Sequence, residues 1–528
     1  MPGTGWVFDA FHDLRAVRLL IHSFPHLRAE VPQEVLAGID ITHVVRPPDV
    51  VSAWAGDRSA AVLLPNVPDE LRNTLYPYQV QDSAFAAARI RDTGGDYLGW
   101  DRGLGKTLGA LVVAKELRAD TIVVVTPNSS KHAVWEPEIK KWDSNNQWKD
   151  RVYCLGGSKV KRDRTLTEWK ESGGVLITHY EALRLVSGWG NVDLVIVDEA
   201  HRLARGGPGK GAPLFYRALK QIKPRYRLAL SGSIIINSPE DLFGAAHWLF
   251  PDLYKSKWSD WNDRFFEYIE GAFGRELVGV LPTAVEALQT ELAAWLQVRR
   301  KEDELPGLPA RVDQTLYVEL TAAQRKVYDD LAESFIAELP DGSVLTAPNV
   351  LSQLTKLRQV ATGLDLLGEE FTDSSKLDLA IELIQSTLPR KTVVFAWHRA
   401  TCTALHERLT ALGIDSEIVT GDVKQHVRGE HVKRFQEDDT CKVIVATIKT
   451  LGESVTLHAA SDLIFVESSW TPADMEQAAD RVYRIGQVSH VTVTNILAKD
   501  TVDEFKVLPR LQTKEQLRKA VLGGMNGN

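Results

Sequence analysis

Residues 100–107 read WDRGLGKT and stand directly before a stretch of helix-forming residues. Glycines at Gly103 and Gly105 allow backbone N–H groups to close around a phosphate, and the start of a helix adds the positive end of its dipole. Lys106 places a point charge on phosphate oxygens, and Thr107 offers a hydroxyl ligand for Mg²⁺. This segment therefore predicts a site that binds phosphate groups together with Mg²⁺.

Two adjacent carboxylates, Asp198 and Glu199, follow the apolar run 194–197 about 90 residues after the glycine loop. Ligands of open parallel sheets bind beyond the carboxyl ends of such buried strands. Asp198 can hold Mg²⁺, and Glu199 can accept a proton from an attacking water. The alternative interpretation is a strand end with two solvated acids, and the glycine loop upstream favours the catalytic interpretation.

Arg481 and Arg484 lie three residues apart near the C-terminus and share one face of a predicted helix. Two guanidinium groups aimed into one cleft can stabilise the charge that develops on a transferring phosphoryl group. Most arginine pairs on helix faces are only solvated surface. The catalytic interpretation of this pair therefore depends on the pattern around it.

Continuous apolar, β-branched runs predict the strands that position these groups, and helix-length segments separate them. The runs are residues 121–126, 175–178, 194–197 and 226–230 in the first half and 392–396, 442–446, 463–466 and 491–494 in the second. This alternation predicts an α/β fold with two parallel sheets. The intervening segment 238–390 shows helical periodicity, and its LPGLP at 305–309 predicts a linker.

The composition of the 528 residues is 44% hydrophobic and 25% charged, which excludes a disordered or collagen-like chain. No apolar run approaches the roughly 20 residues that span a bilayer, and the first residues lack the pattern of a signal peptide. We therefore expect a cytoplasmic protein, in a prokaryotic or viral host cytosol rather than a nucleus.

The three cysteines form no CxxC pair and have no histidine at metal-ligand spacing in the sequence, so we expect buried free thiols. The net charge of −8 argues against a protein that coats nucleic acid by bulk charge. A local basic track remains compatible with that charge.

Eight ordered segments resemble the motifs of the Swi/Snf-type ATPases of helicase superfamily two, over roughly residues 75 to 500. They are LYPYQ at 75–79, GLGKT at 103–107, DEAH at 198–201, LSGSIIIN at 230–237, VRRK at 298–301 with LP at 305–306, residues 450–457, SWTP at 469–472 and QAADRVYRIGQ at 477–487. The resemblance implies two RecA-like lobes with ATP between them. The glycine loop and the carboxylates would lie on one lobe and the arginines on the other.

The resemblance also implies roles for single residues. It assigns catalysis to Glu199, Gln477, Arg481 and Arg484. It assigns ATP binding to Gln79, Gly103, Gly105, Lys106 and Thr107, with Gln79 reading the adenine edge. It assigns Mg²⁺ to Thr107 and Asp198, and the coupling of hydrolysis to movement to His201, Ser231 and Ser233.

Three positions depart from the motifs of the family. Trp100 replaces the small residue at the start of the glycine loop, Ile234 replaces a proline, and Ser454 replaces a glycine. The tryptophan at position 100 affects how the loop approaches phosphates. The changes at positions 234 and 454 affect the coupling between ATP hydrolysis and movement. None of them removes a group that the chemistry needs.

The predicted domain organisation has five parts. They are an N-terminal accessory segment at 1–70, a first RecA-like lobe at 71–237, a helical insertion and junction at 238–310, a second lobe at 311–510 and a C-terminal tail at 511–528.

Candidate DNA contacts come from a basic run and from the resemblance. Residues 210–227 hold six basic and no acidic side chains, although a solvated helix face is the simpler interpretation of such a run. The path of DNA in the family implies that the candidate residues contact DNA phosphates, and that binding weakens as the salt concentration rises. The candidates are Lys131, Thr178, His179, Arg217, Lys220, Trp397, His398 and Thr447.

The function implied is that of an ATP-dependent DNA translocase acting on duplex or branched DNA, through fork remodelling, strand annealing or branch migration. One alternative is a DEAH-type RNA helicase, against which the RRxK junction and the RIGQ ending argue. The other is a nucleotide-gated scaffold or motor subunit with little turnover.

Overall fold

The computed structural model describes a large part of the chain, in two compact units. The first unit runs to Glu304 and takes in residues from Leu517 onward, and the second is Leu305–Gln516. The predicted accessory segment up to residue 63, Lys210 and Ser454 lie outside the described residues. Described are residues 64–143, 147–148, 150–204, 206–207, 212–255, 258–271, 274–339, 343–367, 373–451, 455–484, 486–523 and 525.

The first unit is built on a parallel sheet of seven strands in the order β3-β4-β2-β5-β6-β1-β9, with a separate antiparallel hairpin of β7 and β8. Central strands are apolar on both faces because helices cover the sheet on both sides. The strands are β1 Gly95–Trp100, β2 Thr121–Thr126, β3 Val152–Cys154, β4 Gly174–His179, β5 Val192–Asp198, β6 Pro224–Leu230, β7 Phe266–Gly271, β8 Gly274–Val280 and β9 Leu296–Arg299.

Helices connect these strands. The long helix Pro77–Thr93 begins with a proline, whose missing N–H costs nothing at that position, and ends at Gly94 with a φ of 88°. The other α-helices of this unit are Asp69–Arg72, Lys106–Glu116, Asn128–Ser130, Glu136–Trp142, Lys159–Ser172, Leu214–Leu219, Leu242–Leu249, Trp258–Phe265, Val285–Ala293 and Lys301–Glu304. A π-helical turn is Lys131–Trp135, and 3₁₀ turns are Leu183–Leu185, Ala200–Leu203, Pro239–Asp241 and Pro282–Ala284.

The second unit is built on a parallel sheet of six strands in the order β10-β17-β16-β13-β15-β14, with β11 and β12 as a separate hairpin. The strands are β10 Arg311–Val318, β11 Ile336–Glu338, β12 Val344–Thr346, β13 Thr392–Ala396, β14 Ser416–Val419, β15 Val443–Thr447, β16 Asp462–Phe465 and β17 Val491–Ala498. The helices are Ala322–Ser334, Val350–Thr362, Ser375–Thr387, Arg399–Ala411, Gln425–Glu437, Ile448–Leu451 and Pro472–Ala479. A 3₁₀ turn, Leu364–Leu366, and a π-helical turn, Asp503–Val507, complete the elements of this unit. The last helix, Leu508–Leu522, begins in this unit, and its residues from Leu517 onward belong to the first.

The predicted α/β fold with two parallel sheets is confirmed, and all eight apolar runs form strands. Segment 238–310 holds helices, as expected, but also the β7–β8 hairpin and strand β9, which pairs with β1 in the first sheet. The expectation of three buried thiols is wrong for Cys154, which is only partly buried because β3 is an edge strand. Among the described residues, no helix combines the length and apolar character needed to cross a bilayer.

Candidate active site

The order of the first sheet brings three sequence motifs together. Strands β5, β6 and β1 are neighbours and run parallel, so their carboxyl ends lie at one edge. The glycine loop follows β1, Asp198 ends β5, and Ser231 follows β6. Residues that lie up to about 130 positions apart in the sequence therefore face the place where ligands of parallel sheets bind.

The glycine loop has the backbone that its sequence predicts. Gly103 and Gly105 have φ values of 88° and 75°, a region that side chains with a Cβ rarely adopt. Gln79 is buried beside the loop, where its Nε2 donates to the Leu104 carbonyl at 3.0 Å and its Oε1 accepts from the Tyr76 N–H at 3.0 Å. Gln79 therefore supports the loop in this geometry, and its role in reading adenine stays a prediction.

Two departures from the family motifs are accommodated by glycines. The fully buried Trp100 ring packs on Gly109, where a Cβ would lie 2.8 Å from the ring. Ile234 packs on Gly99, where a Cβ would lie 2.7 Å from the Ile234 Cδ1. Both large side chains thus fill space that small neighbours leave, and neither occupies the loop itself.

Lys106 lies part-buried under the loop. Its Nζ donates to the Trp100 carbonyl at 2.8 Å and to the Asp101 carbonyl at 3.1 Å. Burial lowers the pKa of Lys106 to about 8, although the charge of Glu199 acts in the opposite direction. An ammonium group held by two neutral carbonyls at a helix start is suited to receiving anionic phosphate oxygens.

Asp198 is anchored at the end of β5 by two side chains from other elements. Its Oδ2 accepts from the Thr126 hydroxyl and from the Trp135 indole N–H, each at 2.9 Å. Burial raises the pKa of Asp198, and the neighbouring charge of Glu199 raises it further. A bound cation would offset both effects. Asp198 and the Thr107 hydroxyl are oxygen donors of the type that Mg²⁺ prefers, and their role as its ligands stays a prediction.

Glu199 has left-handed backbone angles, φ 53° and ψ 50°, and is held by the predicted coupling residues. Its Oε2 lies 3.2 Å from the Nδ1 of His201 and 3.4 Å from the Ser231 hydroxyl, and that hydroxyl lies 2.9 Å from the same Nδ1. The Ser233 N–H donates to the Ser231 oxygen at 3.1 Å. The structure thus brings Glu199 together with all three predicted coupling residues.

The pKa of Glu199 results from opposing effects. Burial alone would raise it, but the hydrogen bond from His201 and the charge of Arg102 outweigh burial and lower the pKa well below its usual value. Glu199 is therefore ionised at neutral pH. It can orient a water molecule and accept a hydrogen bond from it.

Three predicted catalytic residues belong to the second unit. Gln477 is half-buried on the helix Pro472–Ala479. The predicted helix face shared by Arg481 and Arg484 is wrong, because that helix ends at Ala479 and a turn follows it. Arg481 is largely buried, and the Nη1 of Arg484 donates to the Thr456 hydroxyl at 2.8 Å. Burial lowers the pKa of Arg484. The catalytic roles of these residues stay predictions.

The candidate DNA residues of the first unit differ in exposure. Lys131 is only 6% exposed and donates its Nζ to the Leu155 carbonyl at 3.1 Å, and Thr178 is buried. His179 is half-buried, Arg217 is exposed, and the Nζ of Lys220 lies 3.3 Å from the Nε2 of His247. In this geometry Arg217 is the most open to a phosphate.

The candidate DNA residues of the second unit lie where β13 and β15 end. The Nζ of Lys449 lies 4.6 Å from the centre of the Trp397 ring, and the Thr447 hydroxyl is 2.6 Å from that of Thr450. His398 places Nδ1 2.8 Å from the Oε1 of Glu467. The same carboxylate also accepts the backbone N–H groups of Trp397 and His398.

Sequence reasoning missed several residues that organise these sites, namely Thr126, Trp135 and Glu467. Burial would raise the pKa of Glu467, but the hydrogen bond and charge of His398 outweigh it and lower the pKa to about 2. A carboxylate directly after the apolar run 463–466 was a readable signal for Glu467. Thr126 and Trp135 carry no such signal.

Comparison with known proteins identifies related chains. A family model described as SNF2-related domain matches residues 78–366, and one described as helicase conserved C-terminal domain matches residues 375–486. The DNA annealing helicase and endonuclease ZRANB3 of Homo sapiens is 27% identical over 470 residues, which are 88% of this chain and 42% of that protein. An uncharacterized ATP-dependent helicase of Mycoplasma genitalium is 24% identical over 86% of this chain and 43% of its own length.

Among solved structures, the Sulfolobus solfataricus SWI2/SNF2 ATPase core in complex with dsDNA matches 88% of this chain and 96% of its own. The identity is 22% and the TM-score is 0.38. The chain spans about two fifths of the length of the two curated relatives.

Proposed function

This protein belongs to the SNF2-related family of ATPases, and we propose that it is an ATP-driven translocase acting on duplex or branched DNA. The observation that carries the proposal is the cluster at the carboxyl edge of the first sheet, where Lys106, Asp198, Glu199 and His201 converge. Family membership supports ATP as the nucleotide and DNA as the polymer.

The proposed chemistry divides among a few residues. Lys106 and the N–H groups of the glycine loop bind the phosphates of ATP. Thr107 and Asp198 would hold Mg²⁺, which neutralises charge on the phosphates when bound. Glu199 orients the attacking water, and its contact with His201 and Ser231 joins hydrolysis to the segment after β6. Arg481 and Arg484 are proposed to stabilise transition-state charge, as their motif implies.

The finer proposal, action on branched DNA, takes its support from the description of one relative. The human relative is a DNA annealing helicase and endonuclease, and the similarity covers only 42% of it. We assign fork remodelling, strand annealing or branch migration to this chain as the finer proposal. No nuclease role is proposed.

A panel of nucleic acids tests the proposal. We expect duplex or branched DNA to stimulate ATP hydrolysis, with an apparent affinity whose logarithm falls by about 0.9 per phosphate contact for each tenfold rise in salt. Steady-state ATPase rates against single-stranded, duplex, forked and four-way DNA and against RNA give the measurement. Stimulation by RNA alone would support the RNA helicase alternative. ATP binding without stimulation by any polymer would support the scaffold alternative.

The pH dependence of ATP binding provides a second prediction. Phosphate oxygens beside Nζ raise the pKa of Lys106 above the value of about 8 that burial gives it in the free protein. Because Lys106 then has the higher pKa in the bound state, the affinity for ATP has its full value below pH 8. It falls by up to about tenfold per pH unit as pH rises towards the bound-state pKa. Titration calorimetry between about pH 7 and pH 9.5 measures this slope.

The matched control is Lys106→Arg, because a guanidinium group does not titrate in this range. We expect its ATP affinity to lack the slope, whatever its absolute value. Equal slopes in the parent and the arginine variant would contradict the assignment of the titration to Lys106.

A further inference from the structure

Three side chains with metal-binding atoms meet on the first unit, away from the cluster around Glu199. His132 lies in the π-helical turn, Glu136 begins the following helix, and Cys154 ends β3. One ligand atom from each lies within 4.8 Å of the others. The Oε2 of Glu136 is 2.8 Å from the Nδ1 of His132 and 3.6 Å from the Sγ of Cys154.

We propose that His132, Glu136 and Cys154 form a binding site for a soft divalent cation of the Zn²⁺ class, with a fourth position open to water. This site goes beyond the proposed function. A histidine and a glutamate four residues apart are common as a helix-surface pair. A thiol from a separate strand, placed against the same carboxylate oxygen, makes the cluster suited to a metal.

The distances suit a tetrahedral metal. Zinc bonds of about 2.0 Å to nitrogen or oxygen and 2.3 Å to sulfur place neighbouring ligand atoms roughly 3.3 to 3.7 Å apart. The separation between Cys154 and Glu136 already falls in this range. The Nδ1 of His132 lies 2.8 Å from the Oε2 of Glu136, about half an ångström short of this range. The His132 side chain is 62% exposed and has room to adjust.

The hydrogen bonds of Glu136 leave one of its carboxylate oxygens facing the other two ligand atoms. Lys140 donates to Oε1 of Glu136 at 2.7 Å, which leaves Oε2 for a metal. Hydrogen bonds from Lys140 and His132 lower the pKa of Glu136 to about 2, so the carboxylate is ionised. Burial raises the pKa of Cys154 to about 11. Formation of the metal–sulfur bond therefore releases the thiol proton to solvent, without any change of oxidation state.

The proposed metal site is connected to Asp198 through the Trp135 side chain. His132 and Glu136 flank Trp135, whose indole N–H donates to Oδ2 of Asp198 at 2.9 Å. A metal held by His132, Glu136 and Cys154 would fix the turn that presents this indole, and would tie it to β3. The expected consequence is a more rigid support for Asp198.

Cobalt(II) titration of the metal-free full-length protein tests the site. We expect one equivalent of Co²⁺ to give a thiolate-to-cobalt charge-transfer band that Zn²⁺ abolishes by competition. Co²⁺ at Thr107 and Asp198 gives no such band, because that site offers only oxygen ligands. Absence of the band in the parent protein would overturn the proposal.

Two variants complete the test. Cys154→Ser should abolish the band although Cys402 and Cys441 remain, and a band that persists would also overturn the proposal. His132→Ala changes an exposed side chain and should keep the fold, as circular dichroism checks. It should weaken Co²⁺ binding on the order of 100-fold. Unchanged affinity in His132→Ala would exclude the proposed ligand set even if Cys154→Ser failed to fold.

Discussion

Glu199→Gln is expected to lower the DNA-stimulated ATPase rate by about 10²- to 10⁴-fold, the contribution typical of a positioned general base. The amide keeps the size of the side chain and can still accept a hydrogen bond from Ser231. It loses the charge that orients and deprotonates water. ATP binding should persist because Lys106 and the glycine loop are unchanged. Steady-state turnover and equilibrium binding of a labelled ATP analogue separate the two quantities.

The matched control is Glu181→Gln, since Glu181 is 64% exposed and belongs to the same unit. Its turnover should equal that of the parent protein. Turnover by Glu199→Gln at the parent rate would remove Glu199 from the chemistry. Loss of ATP binding in that variant would instead indicate a structural role.

The low pKa of Glu199 gives the proposed coupling role of its neighbours a physical meaning. An efficient general base has a pKa near the working pH, whereas the contact with His201 and the charge of Arg102 hold the pKa of Glu199 far below it. Loosening of the contact between His201 and Glu199 would raise the pKa of Glu199 and make it a stronger base. This change is how His201 and Ser231 would couple movement to hydrolysis.

The sequence could predict the parts of the site that local patterns determine. Asp198 and Glu199 stand directly after an apolar run, and Gly105 and Lys106 stand directly before a helix-forming stretch, so their positions at a strand end and at a helix start follow from neighbours in the sequence. The fold class follows in the same way, because each buried parallel strand is a continuous apolar run.

Contacts that depend on strand order could not be predicted in that way. The bonds from Thr126 and Trp135 to Asp198 exist because β2 and β5 are neighbours in the sheet, although 72 and 63 residues separate the partners. The same holds for Cys154, which approaches Glu136 only once β3 takes its place at the edge. The resemblance implied Lys131 as a DNA contact, but its ammonium donates to the Leu155 carbonyl inside the unit, a contact that also depends on the place of β3 at the edge of the sheet.

Strand β9 was missed for a different reason. Its four residues, 296–299, stand directly after the helix Val285–Ala293, and the apolar spacing of helix and strand together imitates one longer helix. A run of four residues is too short for its period to distinguish a strand from a helix. Pairing with β1 decides the conformation, and that pairing is a tertiary effect.

Lys106→Ala is expected to abolish measurable ATP turnover and to weaken ATP binding by about 10- to 100-fold. That range corresponds to the loss of roughly 1.5 to 3 kcal/mol of charge-assisted hydrogen bonding to phosphate. The fold should persist, because in the part of the chain that the structure describes the Lys106 ammonium donates to the carbonyls of Trp100 and Asp101, and water can replace it there. Turnover, nucleotide affinity and the thermal unfolding midpoint are the three measurements.

Lys170→Ala is the control, since Lys170 is an exposed lysine on the helix Lys159–Ser172 of the same unit. It should match the parent protein in all three measurements. Parent-like turnover in Lys106→Ala would mean that the glycine loop binds phosphate through its backbone alone. A collapse of the unfolding midpoint would mean that the buried ammonium group is needed for the loop to fold. Reduced turnover and affinity with an intact fold is the combination that a phosphate-binding role requires, because only the phosphate contact is lost.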